Sequence, residues 1–139
     1  MRISKENRQT VFERAKDCCE YCHLAQKDDT LKFHVDHVIA RKHGGNDALD
    51  NLCLACYRCN SFKGSNVAAI DSLTGNATRL FHPRKDEWED HFRLIETGII
   101  KGLSPEGRVT ISVLRINDIT RIQQRLALID VSRYPCKDT

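Results

Sequence analysis

Apolar residues recur at helical spacing in three parts of the chain. The spacing predicts helices over residues 4–16, 86–96 and 119–129. Ser4, at the start of the first segment, is a residue type that caps helix N termini. Ser104-Pro105 has the form of a cap followed by proline at the first helical position, so another helix is expected to begin there.

The middle of the chain has a different pattern, with short alternating segments. Residues 33–39 alternate between apolar and polar side chains, which predicts a strand, and residues 52–55 predict a second one. A short helix is expected over 57–64, and residues 65–85 are expected to be mostly irregular. Residues 109–116 fit either a helix or a strand. The fold class predicted is therefore α+β, with additional helices at both ends.

Composition limits the size of the core and the classes of partner. Of the 139 residues, 40% are hydrophobic but only 6% are aromatic, so a structural staple would help a thin core. The net charge of +3 is too small to establish a nucleic-acid partner by itself. We expect a cytoplasmic protein without a membrane span, since neither an apolar leader nor a run of 18 apolar residues is present.

Paired cysteines are the strongest chemical signal. Cys19 and Cys22 form one C-x-x-C knuckle, and Cys56 and Cys59 form a second. Two such knuckles can bring four thiolates to tetrahedral geometry around Zn²⁺, which predicts a structural zinc site. Cys53 and Cys56 have the same spacing, but we prefer the pair that ends at Cys59, because Cys53 lies within an apolar strand.

The other cysteines are expected to be packed or exposed thiols. Disulfides are rare in a reducing cytoplasm, so Cys18, Cys53 and Cys136 are predicted to be unpaired. His23 lies beside the first knuckle and could replace a cysteine as a zinc ligand, although this is the less favoured alternative.

Between the knuckles lies a polar strand end with catalytic residue types. Asp36 and His37 are adjacent, and His34 precedes them on the same strand. Neighbouring strand residues point to opposite faces, so a bend or bulge would be needed for both to face one site. Asn51 follows a Gly-Gly loop, and Asn60 directly follows the second knuckle.

Taken together, these elements resemble the HNH endonuclease family. The resemblance covers residues 14–64 and consists of the first knuckle, Asp36-His37, Asn51, the second knuckle and Asn60 with Lys63. It implies a ββα-metal (His-Me finger) core with a structural zinc site. Residues 1–79 would then form the nuclease core with its N-terminal helix, and residues 80–139 a mainly helical extension that packs on it.

The resemblance also implies a role for each residue. His37 would be the general base for the attacking water, and Asn51 would bridge the loop and orient His37. Asp36 and Asn60 would bind one catalytic cation, expected to be Mg²⁺ or Mn²⁺ because both offer oxygen ligands. Many family members carry histidine where this chain has Asn60, which favours these hard ions over Zn²⁺ at the catalytic position.

The substrate implied is DNA, most naturally double-stranded, with hydrolysis of phosphodiester bonds. Basic residues around the proposed site are the candidates for phosphate contacts: Arg41, Lys42, Arg58 and Lys63. RNA remains an alternative substrate. Two other function classes stay open: a nuclease subunit that is active only within a partner complex for restriction or phage defence, and a non-catalytic zinc module that binds nucleic acid. A homodimer or a protein partner could use the C-terminal extension.

Overall fold

The computed structural model describes residues 3–136 as an α+β chain, as predicted. Its helices are α1 (Lys5–Ala15), α2 (Tyr57–Lys63), α3 (Trp88–His91), α4 (Pro105–Leu114) and α5 (Ile119–Asp130). Its strands are β1 (His34–His37), β2 (Leu52–Ala55), β3 (Ala68–Ile70), β4 (Ala77–Arg79), β5 (Phe92–Leu94) and β6 (Ile100–Gly102). None of the helices within residues 3–136 is long and apolar enough to cross a membrane.

The centre of the fold is an antiparallel pair of strands followed directly by a helix. β1 pairs with β2, with His34 opposite Ala55 and His37 opposite Leu52. Every residue of β2 is buried, which explains its continuous apolar sequence. Helix α2 begins two residues after β2 and packs against both strands. This arrangement sets the end of β1 beside one face of α2.

The first helix forms as its sequence predicts. The Ser4 hydroxyl accepts a hydrogen bond from the Asn7 amide at 3.0 Å, which caps the N terminus. The helix ends at Lys16, which adopts a left-handed conformation at φ 55°. Val11 is fully buried and faces the core, while Phe12 and Ala15 pack against it. α1 thereby packs against β2.

Residues 65–85, expected to be mostly irregular, contain a β-hairpin. β3 pairs with β4 in an antiparallel register that sets Ile70 opposite Ala77. The turn between them closes through the Asp71 carboxylate, which accepts a hydrogen bond from the Thr74 amide at 3.2 Å. Gly75 adopts φ 77°, a conformation that side chains disfavour. Strands of three residues are too short to produce a recognisable alternation.

The helix predicted over residues 86–96 is mostly absent, and that prediction was wrong. Only Trp88–His91 is helical, and the chain then forms β5, which pairs with β6. A turn at Gly98, with φ 82°, joins the two strands. Phe92 and Ile100 both enter the core from this hairpin, so burial of their side chains overrides the helical spacing.

The last two helices cover the central unit. Ser104 caps α4 by accepting a hydrogen bond from the Gly107 amide at 2.9 Å, and Pro105 opens the helix, as predicted. The ambiguous stretch over residues 109–116 is helical as far as Leu114. α5 spans Ile119–Asp130, which confirms the predicted terminal helix. α4 packs on α2, and its Val109 and Leu114 join the same buried cluster as β2.

The C-terminal segment returns to the first knuckle, and this corrects one prediction. Cys18 and Cys136 form a disulfide, with Cα atoms 5.8 Å apart, whereas both were expected to be unpaired. The Tyr134 hydroxyl donates a hydrogen bond to the Cys22 carbonyl, and the Cys136 amide donates one to the His23 carbonyl at 2.9 Å. These contacts bring together two cysteines that are 118 residues apart, a proximity that sequence spacing does not reveal.

Candidate active site and metal centre

Four cysteines form a buried cluster at the junction of the two knuckles. The sulfur atoms of Cys19, Cys22, Cys56 and Cys59 all lie within 4.8 Å of one another. The Sγ atoms of Cys22 and Cys56 are 3.7 Å apart. Tetrahedral zinc with Zn–S bonds of about 2.3 Å requires sulfurs about 3.8 Å apart. The cluster could therefore hold a Zn²⁺ ion, and its members are the four cysteines preferred from the sequence.

The alternative ligands lie elsewhere. Cys53 is buried on β2, and its Sγ faces the Tyr21 hydroxyl at 3.5 Å and Asp36 Oδ2 at 3.7 Å instead of the cluster. His23 stacks on the Trp88 ring with centroids 4.1 Å apart. Burial lowers the pKa of His23 below its ordinary value. Four thiols complete a tetrahedron without either residue.

An arginine from α5 reaches the sulfur cluster. Arg121 is buried, and its Nη2 lies 3.0 Å from Cys59 Sγ and 3.8 Å from Cys56 Sγ. Its Nη1 donates to the Leu114 carbonyl at 2.7 Å. Burial acts to lower the pKa of Arg121, but the charges of the nearby thiolates, Cys59 first, raise it above the ordinary value. If Zn²⁺ were bound by four thiolates, the centre would carry a net charge of −2, which the nearby Arg121 guanidinium would partly offset.

Asp36 points from β1 into the protein, where the side chains of Tyr21, Lys63 and Cys53 surround it. Its carboxylate is buried and accepts a hydrogen bond from the Tyr21 hydroxyl at 2.9 Å. The Lys63 ammonium, buried on α2, lies 3.1 Å from Oδ2 and 3.4 Å from Oδ1. The same ammonium donates to the His37 carbonyl at 2.9 Å. Burial raises the pKa of Asp36, and the charge of Lys63 opposes that rise.

His37 points to the other side of the strand and is half-buried. Its Nε2 lies 2.8 Å from Asp47 Oδ1. Both Asp47 oxygens also bind the Arg41 guanidinium, at 2.9 Å and 2.8 Å. Hydrogen bonds from His37 and Arg41 lower the pKa of Asp47. Residues 34–37 pair one to one with residues 55–52, so the expected bulge is not found in this register, and Asp36 and His37 face opposite ways.

Asn51 holds the loop that carries Arg41 and Asp47 through hydrogen bonds to its backbone. It is buried, its Oδ1 accepts from the Ile39 amide at 2.9 Å, and its Nδ2 donates to the carbonyls of Ile39 at 3.0 Å and Asn46 at 2.8 Å. A Cβ on Gly45 would lie 1.7 Å from the Ile39 carbonyl oxygen, so only glycine allows this close approach. Asn51 bridges the loop through these hydrogen bonds, whereas the residue that accepts a hydrogen bond from the His37 ring is Asp47.

Asn60 lies on α2, three residues before Lys63, and is half-buried. Its side chain makes no hydrogen bond with any residue between 3 and 136. An amide with unused hydrogen-bonding capacity, on the helix that faces β1, is chemically suited to a cation. Together with Asp36 it offers the oxygen ligands that Mg²⁺ prefers.

The basic residues expected around the site occupy different environments. Lys42 is exposed, and Arg58 is exposed on α2 with Nη1 3.4 Å from the Thr120 hydroxyl. The Arg41 guanidinium binds Asp47. Lys63 is buried and directed inward, so a phosphate could reach it only if its ammonium left Asp36.

Comparison with known proteins agrees with this geometry. The sequence model described as HNH endonuclease matches residues 19–66, the segment that holds both knuckles, β1, β2 and α2. Residues 19–66 are thus similar to the HNH endonuclease family. The family resemblance predicted from the sequence is confirmed for this part of the chain.

Two curated relatives extend beyond the HNH segment. The chain is 28% identical to Septu protein PtuA of Bacillus mycoides (strain KBAB4) over 131 residues, which covers 77% of this chain and 18% of that protein. It is 23% identical to Septu protein PtuB of Bacillus thuringiensis over 114 residues, which covers 81% of this chain and 41% of that protein. The chain thus spans less than half the length of either relative. No solved structure matches significantly.

Three residues that contact the candidate site were not singled out from the sequence: Tyr21, Asp47 and Arg121. Tyr21 lies inside the first knuckle, where its apolar ring suggests only packing. Asp47 lies in a polar loop ten residues after His37, and no spacing rule links the two. Arg121 lies on α5, next to Ile122. A charged residue is ordinary on an amphipathic helix, so nothing in the sequence marks it as a contact of the cysteine cluster.

Proposed function

We propose that the protein is a metal-dependent DNA endonuclease that hydrolyses phosphodiester bonds with His37 as general base and a single divalent cation. One observation carries the proposal. In a segment that matches the HNH endonuclease family, a half-exposed imidazole at the end of β1 is held by a carboxylate, while the adjacent Asp36 faces the helix that carries Asn60.

His37 has the chemistry that the reaction needs. A neutral imidazole has one ring nitrogen without a proton, so that nitrogen can take a proton from the attacking water. One ring nitrogen is bound to Asp47, and the ring is accessible enough to meet a substrate. Asn51 and Gly45 fix the loop behind it, so the imidazole would keep its orientation without a bound substrate.

Asp36 and Asn60 are the residues that would hold the cation, with Mg²⁺ or Mn²⁺ as the ion. When bound, such an ion supplies positive charge to the scissile phosphate and to the leaving oxygen. Lys63 already neutralises the Asp36 carboxylate, so a cation there would compete with a tethered ammonium for the same oxygens. β1, β2 and α2 follow one another in the order of a ββα-metal core, which we propose as the architecture, with zinc in the four-cysteine cluster as its staple.

DNA is the substrate that we propose, since the matched family is one of endonucleases. Lys42 and Arg58 are the exposed cations that would contact phosphates, while Arg41 and Lys63 would act through Asp47 and Asp36. We propose that residues 1–79 form the nuclease core and that residues 80–139 form an extension that packs on it.

A second candidate is a nuclease subunit that cleaves only within a partner complex, as in restriction or phage defence. The similarity to two differently named Septu proteins, each much longer than this chain, favours it. A non-catalytic zinc module is the weaker candidate, because zinc binding alone gives no reason for a His37–Asp47 pair or for a buried Asp36.

The test is cleavage of supercoiled plasmid by zinc-loaded protein with Mg²⁺, with Mn²⁺ or with EDTA. We expect nicking only with a divalent ion, and we expect Asp36→Asn to lose it. The double variant Asp36→Asn/Lys63→Met, which leaves no buried ammonium without its partner, should also be inactive and should remain folded. Cleavage in EDTA, or an active Asp36→Asn variant, would contradict the proposed mechanism. A folded wild type that is silent with every ion would favour the partner-dependent subunit, and cleavage should then appear once the partner is added.

A further inference from the structure

Asp47 joins the proposed catalytic histidine to an arginine. Its Oδ1 lies 2.8 Å from His37 Nε2 and 2.9 Å from Arg41 Nε, and its Oδ2 lies 2.8 Å from Arg41 Nη2. The paired contacts from one guanidinium fix the plane of the carboxylate. The position of Oδ1 relative to the imidazole is therefore set from two sides.

The charge state of Asp47 decides which partner donates the proton. Hydrogen bonds from His37 and Arg41 hold its pKa below the usual range of a carboxyl, so it is ionised at neutral pH. An ionised carboxylate only accepts hydrogen bonds. His37 must then carry its proton on Nε2, and in the neutral ring Nδ1 is left without one.

The loop is built to keep Asp47 in this place. Asn51 holds the backbone that precedes Asp47 through the carbonyls of Ile39 and Asn46, and the Asn46 side chain accepts from the Ala48 amide at 3.0 Å. Arg41 comes from the start of the same loop. Hydrogen bonds from backbone and side chains therefore hold both Asp47 and its arginine within a segment of about ten residues.

We propose that Asp47 is the positioning residue of the active site: it accepts the Nε2 proton of His37 and so leaves Nδ1 as the atom that takes the proton from water. Arg41 holds the Asp47 carboxylate in the required orientation by donating hydrogen bonds to both of its oxygens. This inference rests on the proposed function, because it assigns an atom to the base of that reaction. An uncharged partner that can also donate would allow the other tautomer and leave the wrong nitrogen protonated.

The experiment reads the tautomer and the reaction separately. The His37 tautomer is measured by ¹⁵N NMR in zinc-loaded wild type, in Asp47→Asn and in Asp47→Ala. The matched control is Asp50→Asn, which neutralises an exposed carboxylate of the same loop. We expect His37 to be protonated on Nε2 in the wild type and in the control, and to shift towards Nδ1 protonation in both Asp47 variants.

Cleavage rates complete the test. We expect kcat to fall between about 10²- and 10⁴-fold in both Asp47 variants, with KM changed only a few-fold. Asp50→Asn should cleave at the wild-type rate. An unchanged tautomer in a folded Asp47→Asn protein, or an unchanged kcat, would overturn the inference while leaving the nuclease proposal intact. If instead His37→Ala cleaves as fast as the wild type, the proposed function itself fails, whatever the tautomer of His37.

Discussion

The ammonium of Lys63 lies 3.1 Å from Oδ2 of Asp36, and both side chains are buried beneath β1. The pair connects α2 to the strand that carries His37, and the ammonium also binds the His37 carbonyl. The carboxylate that we propose as a cation ligand thus has an internal counter-charge. The buried charges of Asp36 and Lys63 therefore compensate each other in the folded protein.

Replacing Lys63 should destabilise the protein strongly. We expect Lys63→Met to lower the free energy of unfolding by about 3–5 kcal/mol, because it strands a buried carboxylate without its partner. The measurement is urea denaturation of zinc-loaded protein. The double variant Lys63→Met/Asp36→Asn should recover part of the loss, and the exposed Lys42→Met should change stability by less than about 0.5 kcal/mol. A loss below about 1 kcal/mol for Lys63→Met would show that the ion pair is not formed.

The zinc content of cysteine variants should show that the four clustered cysteines bind the ion and that Cys53 on β2 does not. We expect the wild type and Cys53→Ala to bind one zinc ion per chain, because the Cys53 sulfur faces Tyr21 and Asp36. Cys59→Ala should lose stoichiometric zinc, since it removes one of the four clustered sulfurs. Elemental analysis after dialysis against a weak chelator measures this. Zinc lost from Cys53→Ala and retained by Cys59→Ala would reverse the assignment.

Arg121 should tune the zinc centre from the C-terminal helix. Its guanidinium donates hydrogen bonds to the sulfurs of Cys59 and Cys56, so we expect Arg121→Met to weaken zinc binding by about 10- to 100-fold. Competition with a chromogenic chelator gives the affinity. Arg58→Met is the matched control, since that arginine is exposed on α2. Equal zinc affinities in the two variants would show that the guanidinium does not act on the metal.

Acid should weaken the contact between the β3–β4 turn and α4. Arg108 binds both Asp71 oxygens, at 3.0 Å and 2.9 Å, and these hydrogen bonds hold the Asp71 pKa well below its usual value. The ionised Asp71 carboxylate therefore stabilises the folded protein at pH values above its unfolded pKa of about 3.9. This contribution is lost as the pH falls through the lower pKa of the folded state. We expect the stability difference between wild type and Asp71→Asn to shrink steadily as the pH is lowered from about 5.

Urea midpoints across that pH range measure the effect. Zinc release at low pH affects both proteins alike, so the difference between them isolates Asp71. A wild-type advantage over Asp71→Asn that stays constant down to pH 3 would contradict the depressed pKa.

The parts of the fold that sequence patterns predict are those that local chemistry decides. Ser4 and Ser104 cap their helices through their own hydroxyls, and the buried strand at 52–55 has a continuous apolar sequence. The knuckles are predictable for the same reason, since a two-residue spacer alone sets the separation of the two sulfurs. Long-range packing decides the rest. Phe92 has helical spacing with Trp88, yet its burial in a hairpin with Ile100 determines its conformation.

The candidate site divides in the same way. Asp36, His37 and Asn60 were singled out because their residue types and order resemble the HNH pattern, and their roles stay predictions. Asp47 and Arg121 bind through contacts that depend on how a loop folds back and where a distant helix packs. The Cys18–Cys136 disulfide depends on the path of the C-terminal segment. No local pattern contains that information.

The most direct test of the central claim compares two histidines of the same strand. Cleavage of a labelled duplex by zinc-loaded protein with Mg²⁺ is followed in the wild type, in His37→Ala and in His34→Ala, whose side chain is exposed on β1. We predict that His37→Ala cleaves about 10²-fold more slowly or worse, and that His34→Ala stays within a few-fold of the wild type. Cleavage by His37→Ala at the wild-type rate would contradict the account.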